Sequence, residues 1–151
     1  MAESTGAKTK VYVGTAVLTG IPDAASAFTS ATYTELYSLM TIGDFGDTVG
    51  DVSYNRLRDG RTTHLKGIKD GGTIDLVLAY NSADAGQALL EGTIYSSDSN
   101  LWPLKVEFAD GEEHYFTFVL QSLRLAAGDG SSVKQLTATI GVSSEVFKVA
   151  A

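Results

Sequence analysis

The side chains that could do chemistry are few. Two histidines, His64 and His114, are the only candidates for nitrogen ligands or general bases, and neither has a partner at His-x-x-x-His or Glu-x-x-His spacing. Both read as surface side chains. Glu112 and Glu113 stand next to His114 after Asp110-Gly111, which is the chemistry of an exposed hairpin tip. Asp44 and Asp47 with their glycines lack the spacing of a calcium loop. Gly128-Asp129-Gly130-Ser131-Ser132 is a turn and not a phosphate cradle, because no Lys-Ser/Thr follows it into a helix. Cysteine is absent, so thiolate metal sites, cysteine nucleophiles and disulfides are excluded. No cofactor, no metal and no catalytic residue is expected, and the chain does not read as an enzyme.

The one charge pattern that stands out is basic. Arg56, Arg58, Arg61, Lys66 and Lys69 put five of the eleven basic side chains into fourteen positions of a chain whose net charge is −7. Interleaved Asp59 and Asp70 allow a merely solvated loop. A nucleic-acid contact would want stacking aromatics, and only Tyr54 lies at the edge of the cluster. Overall acidity also argues against a phosphate-neutralising groove. Docking onto an acidic surface of an identical copy fits the asymmetry better.

These residues must be positioned by a mostly β chain. At 151 residues and 44% hydrophobic content it suits one domain, 1–151, burying about 68 to 70% of its unfolded surface. Strands are expected over 10–18, 34–42, 74–80, 104–108, 115–125, 136–142 and 146–149, with Asp110-Gly111 joining the clearest hairpin. Segment 43–72 reads as a long glycine-punctuated loop, whose strand-like stretch 49–57 suits an extended arm. One helix is expected over 82–96, capped by Asn81 or Ser82, with Asp84 in its first turn and Ser96-Ser97-Asp98 closing it. On that helix Ala85, Ala88, Leu89, Gly92 and Tyr95 share one arc, with Leu90 and Ile94 nearly opposite. That second spot is either ordinary exposed surface or a subunit contact. The polar start, Met1 to Lys8, lacks a basic then apolar pattern, and no apolar run approaches the roughly 20 residues of a membrane helix, so a soluble, unprocessed protein is expected.

A resemblance adds to this reading. Gly43, Gly46 and Gly50 precede Asp51, Ser53 and Leu57; Leu65-Lys66-Gly67 and Asp70-Gly71-Gly72 follow, then alternating Ile74-Asp75-Leu76-Val77-Leu78 and the helix start Asp84-Ala85-Gly86-Gln87. This order resembles the major tail tube proteins of long-tailed bacteriophages over roughly 33–143. The resemblance implies a two-sheet β-sandwich or barrel with one flanking helix. Copies would form hexameric rings that stack into a tail tube, with a tape-measure protein and a tail terminator as partners. DNA would pass through the lumen unbound, and no membrane would be involved. The particle would be a virion tail assembled in the host cytoplasm; a gene transfer agent, contractile tail or type VI secretion tube is the related alternative. It places the loop, with Phe45, Arg56, Arg58, Arg61, Lys66 and Lys69, against the adjacent ring, and the helix, with Leu90 and Ile94, near a subunit contact. A wall that DNA must slide past should be polar and acidic, for which Asp75 and Glu107 are the first candidates.

Two other functions compete: a β-sandwich binding module and a small hydrolase with a site built only in three dimensions. Strands 136–142 and 146–149 contain no proline and only one Lys, Lys148, at their end, which is lax protection for the edges of a free monomer. A carbohydrate module would show clustered exposed aromatics, whereas Trp102 is alone and followed by Pro103. The tube reading is favoured.

Overall fold

The computed structural model describes residues 5–18, 24–94 and 101–150. Pro22, Tyr95, the expected helix end at Ser96-Ser97-Asp98 and the first four residues lie outside them.

The alternating segments become antiparallel strands because period-two patterning can bury one face and wet the other. Strand β1 (Lys10–Gly14) buries Val11 and Val13, and β6 (Thr73–Ala79) buries Ile74, Leu76 and Leu78. Strands β7 (Trp102–Glu107), β8 (Glu113–Ala126) and β9 (Gln135–Val142) supply most of the remaining core. With β2 (Tyr33–Glu35) and β3 (Leu39–Ile42) they form a sheet in the order β2-β1-β7-β8-β9-β6-β3, and β10 (Phe147–Val149) joins it as an eighth strand on β8. The inner faces of β1, β6, β7, β8 and β9 meet in a single apolar cluster, so the sheet curls around one core.

In β8, Leu120 pairs with Ile140 but Ser122 pairs with Thr139, leaving Gln121 as an extra residue. That bulge switches the buried phase from Phe116, Phe118 and Leu120 to Leu123, which a strictly alternating strand over 115–125 would have turned outward. Segment 136–142 is not an edge: β9 is paired on both sides, by β6 and β8. The free ends of the sheet are β2 and β3.

The helix α2 (Ala85–Ile94) closes the inner side of the sheet, and it does so with the face opposite to the one expected. Gly86, Gln87, Leu90 and Thr93 are its buried residues; of the expected arc Ala85, Ala88 and Gly92 are exposed and Leu89 packs partly against the core. Leu90 is fully buried and Ile94 packs partly against the core, so neither is the free surface spot that helical spacing suggests. The reason is chemical rather than periodic. Gly86 lets the helix approach β2 so closely that an added Cβ would lie 2.5 Å from the carbonyl oxygen of Glu35. Gln87 is buried because its amide donates to the Ala79 carbonyl at 2.8 Å and accepts from Asn81 N–H at 3.0 Å. Asp84, expected in the first turn, is the cap itself: its carboxylate accepts from Gly86 N–H at 3.0 Å.

The opposite face of the sheet is partly covered by the short helix α1 (Ser26–Thr29), whose Phe28 packs on Tyr115 and Phe147 at 5.7 and 5.5 Å between ring centroids.

Candidate assembly surface

Segment 43–72 is not an irregular loop. Strands β4 (Thr48–Arg56) and β5 (Arg61–Asp70) pair with each other and with no other strand, making an arm that stands off the main sheet. Its turn, Leu57 to Gly60, closes through Gly60 N–H on the Arg56 carbonyl at 3.0 Å, and Gly60 has a φ of +59°, a backbone shape that glycine adopts without strain. Almost nothing in the stretch is buried, so its sequence carries no in-out alternation of a core strand and does not read as paired strands.

The arm is nevertheless two-sided. Directly paired residues share a face, so Val52 with Leu65 and Tyr54 with Thr63 form one side, on which the bulged Ile68 also falls. Asp51 with Lys66, Ser53 with His64 and Asn55 with Thr62 form the other. The polar side is bonded within itself: Thr62 donates to the Asn55 side chain at 2.7 Å, and His64 Nδ1 lies 3.0 Å from a carboxylate oxygen of Asp51. The apolar side has no cover among the described residues. Leu57 at the tip is wholly exposed, and Ile68 is 86% exposed.

The five basic residues expected at the ring contact separate into three places. Arg56, Arg58 and Arg61 crowd the tip, with Arg56 held by Asp59 at 2.9 Å. Lys66 is halfway along, opposite Asp51. Lys69 is at the root, where with Asp47, Asp70, Gly71, Val142, Ser143, Ser144 and Glu145 it lines a cleft of about 230 Å³. Phe45 is half-buried: its ring packs 5.6 Å from Phe116 and edge-on to His114, and so pins the root of the arm to the core.

His114 also differs from expectation. It is half-buried, edge-on to Phe45 and Phe108, with Nε2 2.7 Å from Glu112. Glu112 and Glu113 are accordingly not a free hairpin tip, since Glu113 accepts from the Tyr115 hydroxyl and lies 3.6 Å from Lys105. Lys105 sits over the Tyr12 ring at 4.7 Å. Burial, then the Glu107 carboxylate, pushes the Tyr12 hydroxyl up to about 12; burial raises Tyr33 and Tyr115 as well. Among the described residues no group of histidines and carboxylates converges in a way that could hold a metal ion.

The two lumen candidates are not brought together. Asp75 and Glu107 both point away from the core, but Asp75 lies level with Ser122 of β8 through Thr139, and Glu107 lies level with Glu113. Asp75 accepts from Thr139 at 2.8 Å on an outer face that also carries Thr73 and Thr137. Arg124, which no motif in the sequence singles out, shares that face opposite Thr137. Glu107 instead belongs to the tyrosine network around Tyr12.

Neither a protein-family model nor a curated protein matches the chain by sequence. Solved structures do match in shape. A chain from the tail of an empty gene transfer agent particle, of C6 symmetry, aligns over 98% of this chain and 100% of its own, at TM-score 0.66 and 13% identity. A chain of the SPP1 tail tube aligns over 97% of this chain and 79% of its own, at TM-score 0.61 and 13% identity. The chain has the tail tube fold. The tail tube fold recurs in a chain of the six-fold symmetrised baseplate of the anti-feeding prophage, which aligns over 99% and 97% at TM-score 0.72 and 9% identity. The tail tube fold accounts for the mainly β architecture with one main helix.

Proposed function

We propose that this chain is the repeating subunit of a tail tube, forming hexameric rings that stack into a hollow conduit for DNA. The observation that carries the reading is the arm. An isolated two-stranded hairpin is marginal in water, yet this one extends from the domain with an apolar side made of Val52, Tyr54, Leu65 and Ile68 left bare. Burying a Val, Leu or Ile side chain fully contributes about 1.5–3 kcal/mol, and half-exposed ones still have a large part of that to gain. In a closed ring every copy makes the same contact, so modest gains multiply. The free sheet edges β2 and β3 supply further unpaired backbone for neighbours.

The neighbours in shape come from tails, tubes and baseplates, two of them with six-fold symmetry, which supports the ring number proposed. In this reading a tape-measure protein sets the length, a terminator caps the tube, the place of action is the virion tail, and assembly occurs in the host cytoplasm. The threonine-rich face around Asp75 suits the wall past which DNA slides, being polar and weakly charged. The geometry favours holding over transforming, and no catalytic role is assigned.

Negative-stain electron microscopy of the purified protein at rising concentration tests the proposal. Rings or long hollow tubes are expected; a strictly monomeric mass at high concentration and in purified particles would refute it.

A further inference from the structure

We infer that the acidic cleft at the root of the arm receives the arginine tip of a second copy's arm, joining subunits head to tail. The inference rests on the tube-subunit reading and names the contact that links one layer of subunits to the next.

The tip is charged beyond what it can satisfy. Arg56 and Arg61 are directly opposed at the last pair of the hairpin, an arrangement that is unfavourable for like charges, and Arg58 follows in the turn. Asp59 pairs with Arg56, while among the described residues Arg58 and Arg61 make no ion pair. Three guanidinium groups against one carboxylate leave the tip with a surplus of two positive charges.

The root has the mirror imbalance. Asp47, Asp70 and Glu145 face the cleft with Lys69 as the one cation among its lining residues, a surplus of two negative charges. None of the four makes an ion pair among the described residues. The carboxylates do not converge as ligands for a metal ion would. Carboxylates spread around an open cleft instead match planar guanidinium groups, which bind them two-pronged. Three other acids are committed elsewhere: Glu112 to His114, Glu113 to Tyr115 and Lys105, Asp51 to His64.

The tip cannot reach its own root. The nine residues of β4 separate the two by about 30 Å at roughly 3.3 Å per residue. A tip of one copy seated in the root of the next is a heterologous contact, which builds an open stack when its rotation does not close into a ring. An arm lying along the tube would then set a layer repeat of at least about 30 Å.

The test is charge exchange in the full chain, read by tube length and by the concentration at which tubes appear. Asp70 is left alone, because its carboxylate also accepts from Gly72 N–H. The tip variant Arg58→Glu/Arg61→Glu and the cleft variant Asp47→Lys/Glu145→Lys should each need at least about tenfold more protein to form tubes, the loss of roughly one charge-assisted contact per copy. The four substitutions together should return assembly to near the original level. If a variant loses its fold by circular dichroism, the milder Asp47→Asn/Glu145→Gln pair replaces it in the same assay. Unimpaired assembly of the folded cleft variant, or no recovery in the folded fourfold variant, overturns this contact while leaving the tube reading intact. Failure of the unmodified protein to form rings or tubes overturns both.

Discussion

Val52 stands directly opposite Leu65 across the arm, and each leaves 52% of its surface in water. A cross-strand apolar pair normally marks the buried side of a sheet. Replacing either by Asp should therefore shift monomer stability by no more than about 0.5 kcal/mol, as for other exposed sites. Assembly should suffer far more, because the contact that covers the pair would bury an unpaired charge. Thermal melts and sedimentation of the same samples separate the two effects. Equal assembly by Val52→Asp and Leu65→Asp would show that the bare face stays bare.

Leu90 gives the opposite expectation. With no exposed surface and a place in the main cluster, Leu90→Ala should cost about 2–5 kcal/mol and Leu90→Asp should prevent folding. Glu91, its exposed neighbour, should tolerate Ala with little change. Urea titrations decide this. A folded Leu90→Asp protein defective only in assembly would return the residue to the subunit contact.

Gly86→Ala pits helix propensity against packing. Alanine favours a helix interior by about 1 kcal/mol over glycine, but here its Cβ would meet the Glu35 carbonyl at 2.5 Å and Leu36 Cδ2 at 2.8 Å. Backbone cannot yield as a flexible side chain can, so a net loss of about 1–3 kcal/mol is expected. A rise in melting temperature would contradict the close approach of α2 to β2.

Alkaline pH should expose the tyrosine network. The Tyr12 phenol is held neutral by burial first and by Glu107 second, moving it from 10.0 to about 12, and Tyr33 and Tyr115 are raised too. A group whose acid form is favoured in the fold contributes its stability fully below its unfolded value and loses it as pH rises through the folded one. The urea midpoint should thus fall between about pH 10 and 12, and Tyr12→Phe should flatten that fall. Tyrosinate absorbance, showing late-ionising groups in the native protein and none in urea, checks the same claim.

The arm should report assembly through its own backbone. Amides of β4 and β5 belong to a hairpin without core contacts, so they should exchange with solvent near the fast limit in free subunits and slowly in the tube. Unchanged exchange on assembly would place the arm outside every interface.

The linear chain by itself determined what one period can encode. Ile74, Leu76 and Leu78 alternate with Thr73, Asp75 and Val77 because a half-buried strand must, and the seven-pair register with β9 follows that pattern. The absence of cysteine, the net charge of −7 and the basic run from Arg56 to Lys69 were equally plain. Tertiary structure decided where period and burial part company. Helical spacing cannot tell which of two apolar arcs meets the sheet; the missing side chain of Gly86 and the hydrogen bonds of Gln87 chose the arc with Leu90. Phe45 and Phe116 lie far apart in sequence, and only their packing shows that one anchors the arm. The pairing of β4 with β5 is illegible for a related reason: strands that bury almost nothing against the described residues have no solvent boundary to write into their sequence.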